Sequence, residues 1–181
     1  MRLFLALLLL SAAGAAAPQA ETQHPDVIFV PTPQEVVDKM LELAKVGKGD
    51  VLYDLGSGDG RIPVTAALRY GIRATGIDID PQRIAEANDN AKKNGVSHLV
   101  RFRQEDLFKA KFSEATVVTL YLLPDLNVKL RPRLLAELKP GTRIVSHQFD
   151  MGTWKPDRKV ELNGRTIYLW TIPERKSPKP Q

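Results

Sequence analysis

The chain has 181 residues, the size of one domain, and its 43% apolar share is enough for a buried core. It contains no cysteine, which excludes disulfides, thiolate zinc sites and cysteine nucleophiles together. The net charge of +5 is mild, and no basic block is dense enough to argue for nucleic acid.

Arg2 is followed by the apolar run Leu3–Leu10 and the small, alanine-rich stretch Ser11–Ala17. This is the layout of a secretory signal peptide, and its apolar part is short for a membrane span. Residues 1–20 are therefore expected to be a leader that exports the domain. The alternative is an uncleaved membrane anchor through residues 3–17. Residues 21–31 form a lead-in with prolines at 25 and 31. At Thr32-Pro33-Gln34-Glu35 an N-cap, a first-turn proline and a capping-box acid coincide. Val36, Val37, Met40, Leu41 and Leu43 then recur at helical spacing up to about Val46.

Strands and helices alternate from there. Strands are expected at 51–55, 73–79, 100–104, 115–122 and 143–149, with helices at 62–70, 81–94 and 126–138. Pro132 is expected to break or kink the last helix. The run at 115–122 is nearly all apolar, as in a central strand buried on both faces. Residues 159–162 and 166–172, joined through Asn163-Gly164, read as a hairpin. The pattern predicts one α/β domain over residues 32–173. Its sheet is mostly parallel with an antiparallel end, and ligands bind beyond the carboxyl ends of the strands. The polar, proline-rich stretch 174–181 is expected to be a disordered tail.

Chemistry concentrates at Asp54-Leu-Gly56-Ser-Gly58-Asp-Gly60-Arg61, directly behind the apolar run Val51-Leu52-Tyr53. Glycines at alternate positions keep side chains out of the way of a ligand, and a following helix offers free N–H groups. A dinucleotide fingerprint needs Gly-x-Gly-x-x-Gly, but Arg61 stands where its third glycine belongs. Asp54 is poor company for a pyrophosphate and welcome beside a cation. S-adenosylmethionine carries a sulfonium and an ammonium and no phosphate, so the sign of the charge favours that cofactor.

Asp78 closes the second strand, where an acid can accept both ribose hydroxyls. Asp80, directly before Pro81, suits the helix N-cap instead. Asp106 follows the third strand; alone it reads better as an exposed turn acid, but beside the glycine loop and Asp78 it reads as an acceptor for the adenine amino group, with Leu107 or Ile79 packed on the ring. The edge Thr119-Leu-Tyr121-Leu122-Leu-Pro124-Asp125 lacks the Asn/Asp-Pro-Pro-aromatic pattern, which argues against DNA base methylation. Tyr121 either lines the site or belongs to the core. His147, at the end of the fifth strand, is either a base or a hydrogen-bonded structural residue. No group of His, Asp and Glu has metal-ligand spacing.

Together these residues resemble the class I S-adenosylmethionine-dependent methyltransferases, from about Thr32 to Ile172. Val30-Pro-Thr-Pro33, the glycine loop and Tyr121-Leu-Leu-Pro124 are similar to a small group of protein-lysine methyltransferases, those related to the mitochondrial enzymes for the ATP synthase c subunit and the adenine nucleotide translocase. The resemblance implies a Rossmann-like seven-stranded sheet. It gives Asp54, Gly56, Gly58 and Gly60 to the methionine part of S-adenosylmethionine, Asp78 to its ribose and Asp106 to its adenine, with the segment around Pro31-Thr32 covering it. The implied acceptor is a protein lysine, in a membrane protein for the eukaryotic members. A small-molecule acceptor, or cofactor binding without catalysis, is the alternative. A lysine must be held unprotonated, which a tight apolar slot does by desolvation. Tyr121, Leu122, Pro124 and Phe149 are the slot expected from edge position.

Overall fold

A computed structural model of the protein describes residues 29–175. The expected leader, all of the lead-in up to residue 28 and residues 176–181 of the expected tail lie outside the described residues. No described helix is long and apolar enough to cross a membrane. Arg175 is pinned: its Nη2 donates to the carbonyls of Ala136 at 2.7 Å and Leu138 at 3.2 Å.

The elements run α1 (Gln34–Leu43), β1 (Val51–Leu55), α2 (Arg61–Tyr70), β2 (Arg73–Asp78), α3 (Pro81–Lys93), β3 (Val100–Gln104), β4 (Val117–Leu120), α4 (Pro124–Glu137), β5 (Arg143–His147), β6 (Arg158–Leu162) and β7 (Arg165–Thr171). They build one seven-stranded sheet in the order β3-β2-β1-β4-β5-β7-β6. The first five strands pair in parallel, and β7 runs antiparallel to both β5 and β6. The alternation pattern predicted a mostly parallel sheet with an antiparallel end, and the resemblance implied this Rossmann-like seven-stranded methyltransferase topology. The chain works outward from β1 to β3 and then returns to β4, so a crevice opens between the carboxyl ends of β1 and β4.

Period-two side-chain alternation divides the core into two layers. Leu52, Val117 and Val145 face the layer built with Val36, Met40 and Leu41 of α1 and Ile62 and Ala66 of α2. Tyr53, Leu55, Val118, Leu120, Ile144 and Trp170 face the other, with Leu130 and Leu134 of α4. All four residues of β4 are buried, as expected for a central strand covered on both sides. Leu120, Leu130 and Leu134 are wholly buried, and burying each such side chain contributes about 1.5–3 kcal/mol.

Three local expectations fail for identifiable reasons. Thr32 does not cap α1: Pro33 is the cap residue and makes no side-chain capping bond. The Thr32 hydroxyl is spent on His147, and the Glu35 carboxylate accepts from Asn163 Nδ2 at 3.3 Å instead of closing a capping box. Strand β4 is two residues shorter at each end than the apolar run: Thr116 sits in a bend before it, and α4 starts at Pro124 after it. Pro132 does not break α4, which runs on to Glu137. The packing of Leu130 and Leu134 on the sheet outweighs the one backbone bond that the proline cannot donate. Asp80 caps α3 as expected, accepting from the Gln82 amide at 2.8 Å.

Gly60 precedes α2 in a left-handed conformation with φ 74°, and a Cβ there would stand 2.8 Å from the Ala87 methyl and 2.5 Å from the Phe102 ring. Gly60→Ala therefore combines backbone strain with overpacking. It should destabilise the fold by about 2–4 kcal/mol, read as a lower urea midpoint at unchanged slope.

Candidate active site

Beyond Leu55 the chain leaves the sheet but stays attached to it. The amides of Gly56 and Ser57 both donate to the Ile77 carbonyl, at 2.8 and 2.9 Å. Gly58 N–H donates to Asp78 Oδ2 at 2.8 Å, and the Asp80 amide donates to Asp78 Oδ1 at 3.0 Å. Asp78 thus locks the glycine loop to the tip of β2. The loop is the floor of a cavity of about 1020 Å³ at the carboxyl edge of the sheet, large enough for a nucleoside-sized ligand and an acceptor side chain.

Ten of the residues singled out from the sequence line this cavity: Thr32, Asp54, Gly56, Asp78, Ile79, Asp106, Leu107, Tyr121, Leu122 and Phe149. Four do not. Gly58 lies under the ring of Phe29, which occupies the space a side chain would need. Gly60 faces Phe102 and Ala87. Pro124 is exposed at the start of α4, where the early helix start turns it away, and its neighbour Leu123 lines the cavity in its place. His147 is wholly buried, with its ring against that of Tyr121 at a centroid distance of 4.0 Å.

Asp54 is the most perturbed group of the cavity. It is 2% exposed, and register pairs it across β1 and β4 with Thr119, whose Oγ1 donates to Asp54 Oδ1 at 2.8 Å. Burial pushes its carboxyl up to about 8, and the nearby Asp78 and Asp59 carboxylates add to the rise, against the Thr119 bond that opposes it. The free protein therefore holds a proton here at neutral pH. Asp106 turns Oδ1 to the Phe108 amide at 2.8 Å and Oδ2 toward Lys109 at 3.6 Å, so it shapes the loop that carries Leu107.

The His147 imidazole is neutral at working pH. Burial, with the Arg165 charge nearby, lowers it to about 4. Its Nδ1 shares a 3.2 Å hydrogen bond with Thr32 Oγ1, and its Nε2 has no partner.

A model of the ANTKMT methyltransferase domain matches residues 54–158. The chain belongs to this methyltransferase family. A protein-lysine N-methyltransferase of Saccharolobus islandicus is 46% identical over 84% of this chain and 98% of its own length. The adenine nucleotide translocase lysine N-methyltransferase of Mus musculus is 36% identical over 81% of this chain, which spans 63% of that protein. Among solved structures, an RNA methyltransferase from Salinibacter ruber in complex with S-adenosyl-L-homocysteine is 62% identical. It superposes with a TM-score of 0.80 and covers 83% of this chain and 98% of its own. The protein is an S-adenosylmethionine-dependent methyltransferase.

The family member shows lining residues that the sequence did not mark. Phe29 comes from the lead-in beside Val30, the latter already part of the Val30-Pro-Thr-Pro33 resemblance, and Arg83 sits with its guanidinium 4.7 Å from the Phe29 ring centroid. Lys129 reaches the cavity from α4 and places its Nζ 4.1 Å from the Phe108 ring centroid. Arg61 lay inside the motif itself, and only the structure shows its guanidinium forked on Asp59 and donating to the Thr32 carbonyl at 2.8 Å. No cluster of three potential metal ligands occurs among the described residues.

The Asp54 environment fixes a pH dependence. Its pKa rises from 3.8 unfolded to about 8 folded, so the folded state binds the extra proton in between. Its contribution to stability is present below the unfolded value and is lost as pH rises toward about 8, at no more than about 1.4 kcal/mol per pH unit. Between about pH 4 and 6.5 the lowered His147 gains stability as pH rises and offsets this loss, so thermal unfolding of the free protein should show the fall between about pH 6.5 and 8, and Asp54→Asn should remove it.

Proposed function

We propose that the protein transfers a methyl group from S-adenosylmethionine to the side-chain amine of a protein lysine. Supporting this reading is the charge of the cavity wall. Asp59, Asp78, Asp80 and Asp106 line it against Arg61, Arg83 and Lys129, and Asp54, protonated in the free protein, adds its charge only beside a cation. Both arginines are already paired, Arg61 with Asp59 at 2.6 Å and Arg83 with Glu86 at 2.8 Å. Such a wall attracts the cationic cofactor and a lysine ammonium, and it offers little to a phosphate backbone.

The residues present fit the cofactor. Asp54 stands in the floor as an acid that ionises once a cation is beside it. Asp78 has two carboxylate oxygens at the strand tip, each with an accepting lone pair beyond its backbone bond, and these suit a ribose diol. Ile79 and Leu107 offer apolar faces that would pack on the adenine, and Asp106 lines the cavity beside Leu107. Phe29 and Val30 also line the cavity, with the Phe29 ring over Gly58. Bound S-adenosylmethionine supplies an electrophilic methyl carbon on a good leaving group.

The chain's own contribution is alignment and drying. Tyr121, Leu122, Leu123, Leu126 and Phe149 form the acceptor end of the cavity, with the Tyr121 and Phe149 rings 6.3 Å apart and 19° from parallel. An amine that enters this apolar slot loses hydration, which favours its neutral, nucleophilic form without a dedicated base. His147 is wholly buried and does not itself line the cavity, so this reading gives it no role as a base.

A methyl-transfer assay tests the reading with two acceptor pools from the same cells, total protein and total RNA. Label on lysine side chains of the protein pool is expected, and label on RNA alone would replace the lysine assignment with the activity named for the Salinibacter relative. Asp78→Ala should weaken S-adenosylmethionine binding by about 1–3 kcal/mol in calorimetry.

A further inference from the structure

Thr32 lies in the segment that overlies the cavity, yet its hydroxyl points inward. It is 4% exposed, and its partner His147 is wholly buried 115 residues away at the end of β5. The Thr32 carbonyl is held separately by Arg61 at 2.8 Å, so the hydroxyl is not needed to fix the backbone. Three residues earlier, Phe29 is clamped between Gly58 and Arg83. The covering segment is therefore anchored twice without His147.

The imidazole leads elsewhere. Its ring packs at 4.0 Å and 37° on Tyr121, and Tyr121 stacks in turn toward Phe149 at 6.3 Å. Thr32, His147, Tyr121 and Phe149 make one line from the cover of the cofactor end to the wall of the acceptor end. His147 has no other side-chain hydrogen bond among the described residues, and its Nε2 is buried without a partner. The Thr32 hydroxyl is the one polar side-chain contact that orients this buried ring among the described residues, and the ring lies directly against Tyr121.

We propose that His147 is a positioning residue for Tyr121, with its ring plane set by the Thr32 hydroxyl, so that the segment covering the cofactor end also sets the geometry of the acceptor slot. The inference rests on the lysine methyltransferase reading. A misplaced slot wall costs alignment of the attacking amine, an effect that appears in turnover at saturation and not only in binding.

The test uses the full chain, saturating S-adenosylmethionine and a saturating lysine acceptor from the labelled protein pool. Thr32→Val keeps the shape and removes the hydroxyl, and kcat should fall roughly tenfold. Thr32→Ser restores the hydroxyl and should recover kcat to within about threefold of the parent. His147→Phe keeps a ring without Nδ1 and should match Thr32→Val. The double variant Thr32→Val/His147→Phe should be no worse than either single change, because both break one link. Circular dichroism and thermal melting establish that each variant is folded. If Thr32→Val does not fold, Thr32→Ser and His147→Phe carry the comparison. Unchanged kcat in His147→Phe, a change confined to KM, failure of serine to rescue, or additive losses in the double variant would each overturn the proposal. A parent enzyme that turns over on RNA and on no lysine acceptor defeats the lysine reading instead, and that result is read before any variant is made.

Discussion

A carboxylate sits in the floor of the cavity with one hydrogen-bond donor, two other acids nearby and almost no water. Burying Asp54 in this way is unfavourable for its ionised form, and the fold accommodates it by keeping the proton. Everything around it follows from where β1 ends. Strand register delivers Thr119 to its side, and the loop that follows is tied to the Ile77 carbonyl and to Asp78. The result is a preformed cradle whose charge state is reset by whatever cation enters.

Charge and hydrophobicity are separated along the cavity. Acids gather under the loops after β1, β2 and β3, while the end formed by Tyr121, Leu122, Leu123, Leu126 and Phe149 is apolar. A displacement that consumes positive charge is helped by this division, since the cation is stabilised where it binds and the reacting centre stays dry.

The sheet was legible in the alternation of strands and helices, because buried strands need apolar runs and the loops carry glycine and proline in the expected places. The glycine loop and the acids at 78 and 106 were legible for the same reason: their positions are tied to strand ends. What the sequence hid depends on contacts between distant segments. Thr32 looks like a helix cap until His147 is brought to it by β5. Pro124 looks like part of the slot until α4 begins there and turns it outward. Lys129 carries no local signal at all. It reaches the cavity because Arg133, one turn further on, fastens α4 to the carbonyls of Leu107 and Ala110.

Phe29 lines the cavity, whereas Arg175 is bonded to the carbonyls of Ala136 and Leu138, at the end of α4 away from it. A bulky fusion placed immediately ahead of Phe29 would thus stand at the doorway and compete with a macromolecular acceptor for access. The same fusion placed behind Arg175 would sit roughly 20 Å away, about the length of a helix of this size, and leave the approach open.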